Sequence, residues 1–376
     1  MIRAWLLPTL LLAAPSFAAD VPIPAPPQIG ASSYLLMDFS SGRIIVESRA
    51  DERVEPASLT KLMTAYAIFH ALRQNQISLE DEVHVSEKAW RTEGSRMFIE
   101  VDTTVSVEDL LRGMIIQSGN DASVALAEHV AGTEEAFVGL MNQHAGSLGM
   151  TGTSFMNTTG LPAEGHYVTA RDIAMLSHAI VYEFPEYYGW YSEREFTYNG
   201  IRQHNRNSLL WRDESVDGLK TGYTDSAGYC LVTSAERSGM RLISVVTGTA
   251  STQAREDGSQ ALLNYGFRFY ETHKLYSGGE EVTTARVWKG EPPEISLGLA
   301  DDLYVTVPRG RYEALEALMD LQTELLAPLA DGAHVGEVRV SLDDEEIATV
   351  PLMALHEVMP AGLWTRIMDE FTLWLQ

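Results

Sequence analysis

Glu55-Pro56-Ala57-Ser58-Leu59-Thr60-Lys61 is the stretch from which this chain is best read. Leu59, Met63, Ala65 and Ile68 recur in a roughly helical rhythm, which predicts a helix with Ser58 and Lys61 in its first turn. Residues three apart on a helix share a face, so the hydroxyl and the amine come within reach of each other. A serine hydroxyl is a weak nucleophile until a neighbouring base takes its proton. A lysine is such a base only if burial or a second cation lowers its pKa. A serine at a helix N-terminus has a further asset, because its own backbone N–H can face a developing oxyanion.

Two more short motifs follow in order, Ser118-Gly119-Asn120 and Lys220-Thr221-Gly222. Ser118 can relay a proton between Lys61 and a leaving amine. Asn120 can hydrogen-bond both Lys61 and a substrate amide. Lys220 supplies the second cation that favours neutral Lys61, and with Thr221 it can hold a substrate carboxylate. Gly222 leaves room for a peptide laid along an edge strand. Each motif alone is commonly a surface helix turn, a tight turn or a strand end. All three in order, each at a fitting junction, indicate serine acyl transfer. No Ser-His-Asp triad is apparent, no His/Cys/Asp group stands at metal-ligand spacing, and no cofactor is expected.

The surrounding pattern gives the fold. Tyr34–Met37 and Arg43–Val46 read as a hairpin around Asp38–Gly42. Helices are expected over about 107–116, from Asp121, over 170–180 and over 256–268, and strands at 220–222, 228–235 and 241–247. Strands at both ends with helices between indicate an α+β, layered α/β/α domain. After Tyr276 the pattern turns to short strands split by Gly278-Gly279, Pro308-Arg309-Gly310 and Asp331-Gly332, as in a small all-β sandwich. The expected division is a signal segment 1–18, a leader 19–31, a catalytic domain 32–276, a β-sandwich 277–360 and a helix 361–376.

That last segment repeats Leu363, Trp364, Ile367, Met368, Phe371, Trp374 and Leu375 at helical spacing. Such a helix either lies flat in a membrane interface or packs on protein, and its acids Asp369 and Glu370 outnumber Arg366. At the other end, Arg3, the apolar run Ala4–Ala14 and small residues up to Ala18 fit a secretory signal too short to span a bilayer. Pro22–Pro27 then forms an extended leader. The single cysteine, Cys230, sits in an apolar strand and reads as buried and inert. The chain carries 27 basic against 52 acidic residues, a formal charge of −25, which disfavours nucleic acid as a partner.

The three-motif signature belongs to β-lactamases and penicillin-binding proteins. The chain resembles the low-molecular-mass penicillin-binding proteins that act as serine-type D-alanyl-D-alanine carboxypeptidases. The likeness also runs through Gln117–Ala122, Asn157-Thr158-Thr159-Gly160-Leu161, Ala170-Arg171-Asp172, Asn205-Arg206-Asn207, Val216–Gly222, Tyr265–Phe269 and Val307–Gly310. It implies a penicillin-binding, β-lactamase-like transpeptidase fold with a β domain behind it. It implies Ser58 as the acylated nucleophile, Lys61 as base, and Ser118 and Asn120 in the proton network. Lys220, Thr221, Gly222 and Tyr223 would bind substrate, with Arg206 and Arg255 near its carboxylate and the N–H groups of Ser58 and Tyr223 in the oxyanion hole. Many relatives have histidine where this chain has Tyr223, so rates or selectivity are expected to differ.

The implied substrate is a peptidoglycan pentapeptide stem ending in D-Ala-D-Ala, with β-lactams as covalent inhibitors. The implied place is the periplasm, on the inner membrane through the terminal helix. Asp172, next to a Thr-Ala-Arg helix start, is expected to brace rather than to deacylate. The rival readings are a serine β-lactamase, a DD-endopeptidase and a non-catalytic wall-binding protein.

Overall fold

The N-terminal hairpin forms as expected, with β1 (Ser33–Asp38) paired antiparallel to β2 (Ile44–Ser48). Its pairing partner on the other side comes from far along the chain. Strands β3 (Val216–Thr224), β4 (Gly228–Arg237) and β5 (Met240–Thr249) complete an antiparallel sheet of order β2-β1-β5-β4-β3. The computed structural model describes residues 23–322 and 324–375, so the signal segment and the first leader residues lie outside the described residues.

Side chains alternate across this sheet and both faces are covered. Leu35, Met37, Val232 and Val245 face a helical layer, while Tyr34, Leu36, Leu231 and Val246 face the opposite side. The larger layer contains α1 (Thr60–Arg73), α2 (Val107–Arg112), α3 (Asn120–Ala131), α4 (Glu134–Ser147) and α5 (Ala170–Glu183). On the other face lies α6 (Thr252–Phe269), whose N-cap Ser251 accepts from the Ala254 N–H at 3.1 Å. A Cβ on Gly266 would fall 2.6 Å from Leu242, so the missing side chain lets α6 settle onto the sheet. Cys230 is fully buried within the larger core, and burial pushes its thiol up to about 11, the inert state expected of it.

The second domain begins earlier than composition suggests. β6 (Tyr270–Tyr276) pairs with β9 (Leu303–Pro308) from Tyr270↔Pro308 onward, whereas the expected boundary fell after Tyr276. The cause is local: α6 ends at Phe269 and the chain enters β6 with no turn between them, so no shift in composition marks the passage. Six further strands are β7 (Glu281–Trp288), β8 (Glu294–Gly298), β10 (Leu315–Leu321), β11 (Leu325–Leu326), β12 (His334–Leu342) and β13 (Glu345–Ala354). They form a curled sheet of order β10-β12-β13-β8-β7-β11 around Val287, Leu297, Val305, Val338, Val340 and Leu352.

The domains join at one end of the first sheet. Buried Asp38, at the end of β1, accepts hydrogen bonds from the Ser41 N–H at 2.8 Å and from the Thr272 hydroxyl at 2.7 Å. Arg43 donates to the Thr306 carbonyl at 2.7 Å. In register, Asp38 lies opposite Leu242, which continues to Ala235 and Val216. Thr221 lies at the other end, continuing through Leu231 and Val246 to Tyr34. Four residues of strand, about 13 Å, therefore separate the joint from the motif end of the sheet.

The terminal helix, α7 (Leu363–Trp374), turns its acids toward the β domain. Asp369 accepts from the Lys289 N–H at 2.6 Å and pairs with Arg286, and Glu370 pairs with Lys289. Leu363, Trp364, Ile367, Phe371 and Trp374 remain exposed. Among the described residues no helix is long and apolar enough to cross a membrane.

Candidate active site

Ser58 sits in a single tight turn, Ala57–Leu59, that runs directly into α1. Lys61, in the first turn of α1, is buried, and its amine is surrounded by three oxygens. Asn120 Oδ1 and the Thr159 carbonyl each lie 2.6 Å from Nζ, and Ser58 Oγ lies at 3.1 Å. A carbonyl oxygen can only accept, so Asn120 and Thr159 claim two hydrogens. A neutral amine has two, and its lone pair is then left for the Ser58 hydroxyl. Burial is the main cause that lowers the Lys61 pKa to about 7; Asp121 opposes it and Arg206 adds to it.

Asn120 opens α3 and is fixed from both ends. Its N–H donates to the Ser95 carbonyl at 2.7 Å, and its amide nitrogen donates to the Glu93 carbonyl at 2.6 Å. A Cβ on Gly94 would fall 2.6 Å from that nitrogen. Asp121 holds the same loop, accepting from the N–H groups of Met97, Phe98 and Ile99 at 2.9, 2.9 and 3.3 Å. Ser118 ends the preceding helical turn in a left-handed conformation with φ +67, and its buried hydroxyl has no hydrogen-bond partner among the described residues. Such a group is costly unless it is completed by something that arrives.

β3 is the edge strand of the sheet. Lys220 and Thr221 are buried on it, and the Lys220 amine donates to the Thr221 carbonyl at 3.2 Å. Burial holds the Lys220 pKa well below its usual value, helped by Lys61, Arg206 and Arg255. A Cβ on Gly222 would lie 3.2 Å from Ala57 and 3.3 Å from the Ser58 nitrogen, so β3 passes close against the nucleophile's turn.

A cleft of about 330 Å³ opens over Ser58 and Asn120, walled by Ser95, Gly160, Arg206 and Tyr223. Arg206 is exposed and anchored by its Nε on the Gln117 carbonyl at 3.1 Å. Arg255 is instead buried, donating to the Gly222 carbonyl at 3.2 Å, and is not among the cleft's walls. Tyr223 is half exposed; its ring packs 4.3 Å from Tyr229 and its hydroxyl donates to Asp225 at 2.6 Å.

The fold thus brings Ser58, Lys61, Asn120 and Gly222 into one contact group, with Arg206 and Tyr223 at the rim. Sequence reasoning missed the Thr159 carbonyl and the Glu93–Ser95 loop. The 157–161 stretch did carry a signal, since Gly160 adopts φ +88 against the Ala57 carbonyl. The loop's one signal is Gly94, at φ +90 against the Asn120 amide nitrogen; its other contributions are backbone oxygens that any sequence has. Asp172 braces: its carboxylate accepts from the Gly152 N–H at 3.0 Å and the Thr153 hydroxyl at 2.6 Å.

The chain is similar to known proteins along most of its length. Residues 20–251 match the family described as D-alanyl-D-alanine carboxypeptidase, and residues 270–359 match the one described as Penicillin-binding protein 5, C-terminal domain. The D-alanyl-D-alanine carboxypeptidase DacC of Escherichia coli strain K12 is 44% identical over 367 residues, covering 96% of this chain and 92% of that protein. Penicillin binding protein 5 from Haemophilus influenzae superposes with a TM-score of 0.87 at 43% identity, over 89% of this chain and 99% of that one. Penicillin-Binding Protein D2 from Listeria monocytogenes, solved in an ampicillin-bound form, gives 0.60 at 31% identity, over 65% of this chain and all of that one.

Proposed function

The chain belongs to the D-alanyl-D-alanine carboxypeptidase family of low-molecular-mass penicillin-binding proteins, and from that premise we propose how its own residues divide the reaction. It is a serine-type D-Ala-D-Ala carboxypeptidase that removes the terminal D-alanine of peptidoglycan stems.

Neutral Lys61 takes the Ser58 proton as Ser58 Oγ attacks the carbonyl of the penultimate D-alanine. The N–H groups of Ser58 and Tyr223 receive the oxyanion. Ser118 passes the proton from Lys61 to the departing D-alanine nitrogen, and the peptide bond breaks. Lys220, Thr221 and Arg206 hold the terminal carboxylate, Gly222 admits the peptide to the strand edge, and Arg255 steadies that edge through the Gly222 carbonyl. Asn120 keeps Lys61 aimed. Water then attacks the acyl-enzyme carbonyl as Lys61 takes its proton, the ester bond to Ser58 Oγ breaks, and Lys61 returns the proton to Ser58. A β-lactam acylates Ser58 by the same route.

The observation that supports this division most is the contact between base and nucleophile. The Asn120 Oδ1 and the Thr159 carbonyl, each 2.6 Å from Nζ, hold the amine 3.1 Å from Ser58 Oγ, so that the neutral amine is within reach of the Ser58 proton. The test is release of D-alanine from a pentapeptide ending in D-Ala-D-Ala. Wild-type protein is expected to release it and to carry one ampicillin adduct on Ser58, and Ser58→Ala to do neither. A Ser58→Ala protein that still releases D-alanine would refute the assignment of the nucleophile.

The place of action is the periplasmic face of the inner membrane, with α7 lying in the lipid interface. The acids that weigh against such a helix in sequence, Asp369 and Glu370, are paired with Arg286 and Lys289, and the aromatic and aliphatic face is free.

A further inference from the structure

The Ala57 carbonyl and the Ser58 N–H belong to one peptide unit. That unit is planar and trans, so whatever fixes the carbonyl also aims the N–H in the opposite direction. Three features fix it. Ala57 takes φ +45, a left-handed conformation that a non-glycine residue holds only under constraint. Gly160 lies so close that a Cβ there would sit 1.7 Å from the Ala57 oxygen. The Thr60 hydroxyl donates to that oxygen at 2.9 Å, beside the Thr60 backbone N–H, which also donates to it.

Thr60 has one hydroxyl proton, and the Ala57 carbonyl takes it. Thr60 Oγ1 also lies 3.0 Å from His166 Nε2, so in that contact the histidine is the donor. This sets the tautomer: hydrogen on Nε2, lone pair on Nδ1. Nδ1 is the buried ring nitrogen with no hydrogen-bond partner among the described residues, as that tautomer leaves it. Burial lowers the His166 pKa to about 4 and keeps the ring neutral. His166 is 4% exposed and its ring meets Phe155 edge-on at 5.9 Å, so its position is fixed. Neither Thr60 nor His166 lines the cleft, and neither belongs to the three motifs' polar roles.

We propose that His166 and Thr60 are positioning residues for acyl transfer. The chain His166 Nε2–H, Thr60 Oγ1–H, Ala57 C=O orients and polarises the peptide whose Ser58 N–H receives the oxyanion. Each bond in such a chain strengthens the next, and density drawn onto the Ala57 oxygen makes the Ser58 N–H a better donor. The gain appears when negative charge develops on the substrate oxygen. It therefore acts on the acylation step and not on ground-state binding. This rests on the reading of Ser58 as nucleophile with its own N–H in the oxyanion hole.

The experiment follows acylation of the full chain by ampicillin, separating the half-saturating concentration from the limiting rate constant, with a melting temperature for each variant. Removing an oxyanion donor outright costs about 10²–10³-fold, so loosening one is expected to cost about 10- to 100-fold. Thr60→Val, which keeps shape and loses the hydroxyl, is expected to lower the limiting rate by that factor with half-saturation unchanged. Thr60→Ser is expected to restore it. His166→Leu is expected to slow acylation about tenfold, and His166→Gln, which keeps an N–H within reach, to stay within about threefold of wild type. A Thr60→Val protein that acylates at the wild-type rate, or that only binds more weakly, overturns the proposal. So does a His166→Gln protein no faster than His166→Leu. A wild-type protein that forms no adduct would sink the reading of Ser58 and this inference together. A reactive wild type with an equally reactive Thr60→Val sinks the inference alone.

Discussion

Gly160→Ala is the substitution that most directly tests the packing behind the nucleophile. A methyl group at Gly160 would lie 1.7 Å from the Ala57 oxygen, 2.2 Å from its carbon and 2.9 Å from the Ser58 nitrogen, all backbone atoms that cannot swing aside. Ordinary van der Waals contact needs about twice the first distance, so the 158–161 segment and the Ala57–Ser58 turn must part by more than about 1.5 Å. The Thr159 carbonyl, one residue away, holds Lys61 Nζ at 2.6 Å, and a shift of that size takes it out of hydrogen-bond range. Misplacing a catalytic group by about 1 Å costs about 10²-fold. Acylation by ampicillin is therefore expected to fall at least about 100-fold. Alanine at φ +88 also costs about 1–2 kcal/mol of stability. Gly239→Ala separates the two effects. Gly239 has φ +81, and a methyl group there would meet no described atom within 4 Å, so this variant should lose the backbone share of that stability and no activity. Stopped-flow acylation and thermal melts on both variants decide it. A Gly160→Ala protein acylating within about threefold of wild type, or a Gly239→Ala protein equally impaired, would refute the steric argument.

Four further outcomes are expected. The rate of acylation should rise with pH through about 7, as Lys61 loses its proton, and a pH profile measures it. Lys61 also makes stability pH-dependent: its folded pKa is about 7 against 10.5 unfolded, so between those values the unfolded chain binds the extra proton and the folded state gains as pH rises. Denaturant unfolding of wild type against Lys61→Met should therefore shift toward wild type from pH 7 to 10. Asp172→Ala should lose about 1–3 kcal/mol through the unsatisfied Gly152 and Thr153 donors and leave the lifetime of the ampicillin adduct unchanged; a prolonged adduct would return Asp172 to the chemistry. Deleting the residues after Pro360 should abolish sedimentation with anionic phospholipid vesicles without slowing acylation, and unchanged sedimentation would remove α7 as the anchor.

Much of this was legible in the chain because its signals are local. Ser58 and Lys61 share a face by helical spacing alone. The β1–β2 hairpin follows from a turn between two apolar runs, and Cys230 reads as buried from its neighbours. The start of the second domain was not legible, because α6 passes into β6 without a turn and pairing with β9 is a long-range event. The orientation of α7 was not legible either, since its acids look repulsive until Arg286 and Lys289 are seen opposite them.

By itself, then, the sequence determined the inventory and order of the reacting groups: a nucleophile and base one turn apart, a relay serine and amide at a helix junction, a cation on a strand. Those depend on side-chain chemistry and short spacing, which a linear chain displays. Tertiary structure alone decided the protonation and aim of those groups. Lys61 is poised because two carbonyls, 59 and 98 residues away, take its hydrogens. The Ser58 N–H is aimed because Gly160, Thr60 and His166 converge on one peptide unit. Backbone oxygens carry no mark in sequence, and burial, which sets the pKa of the base, exists only once the chain has closed around it.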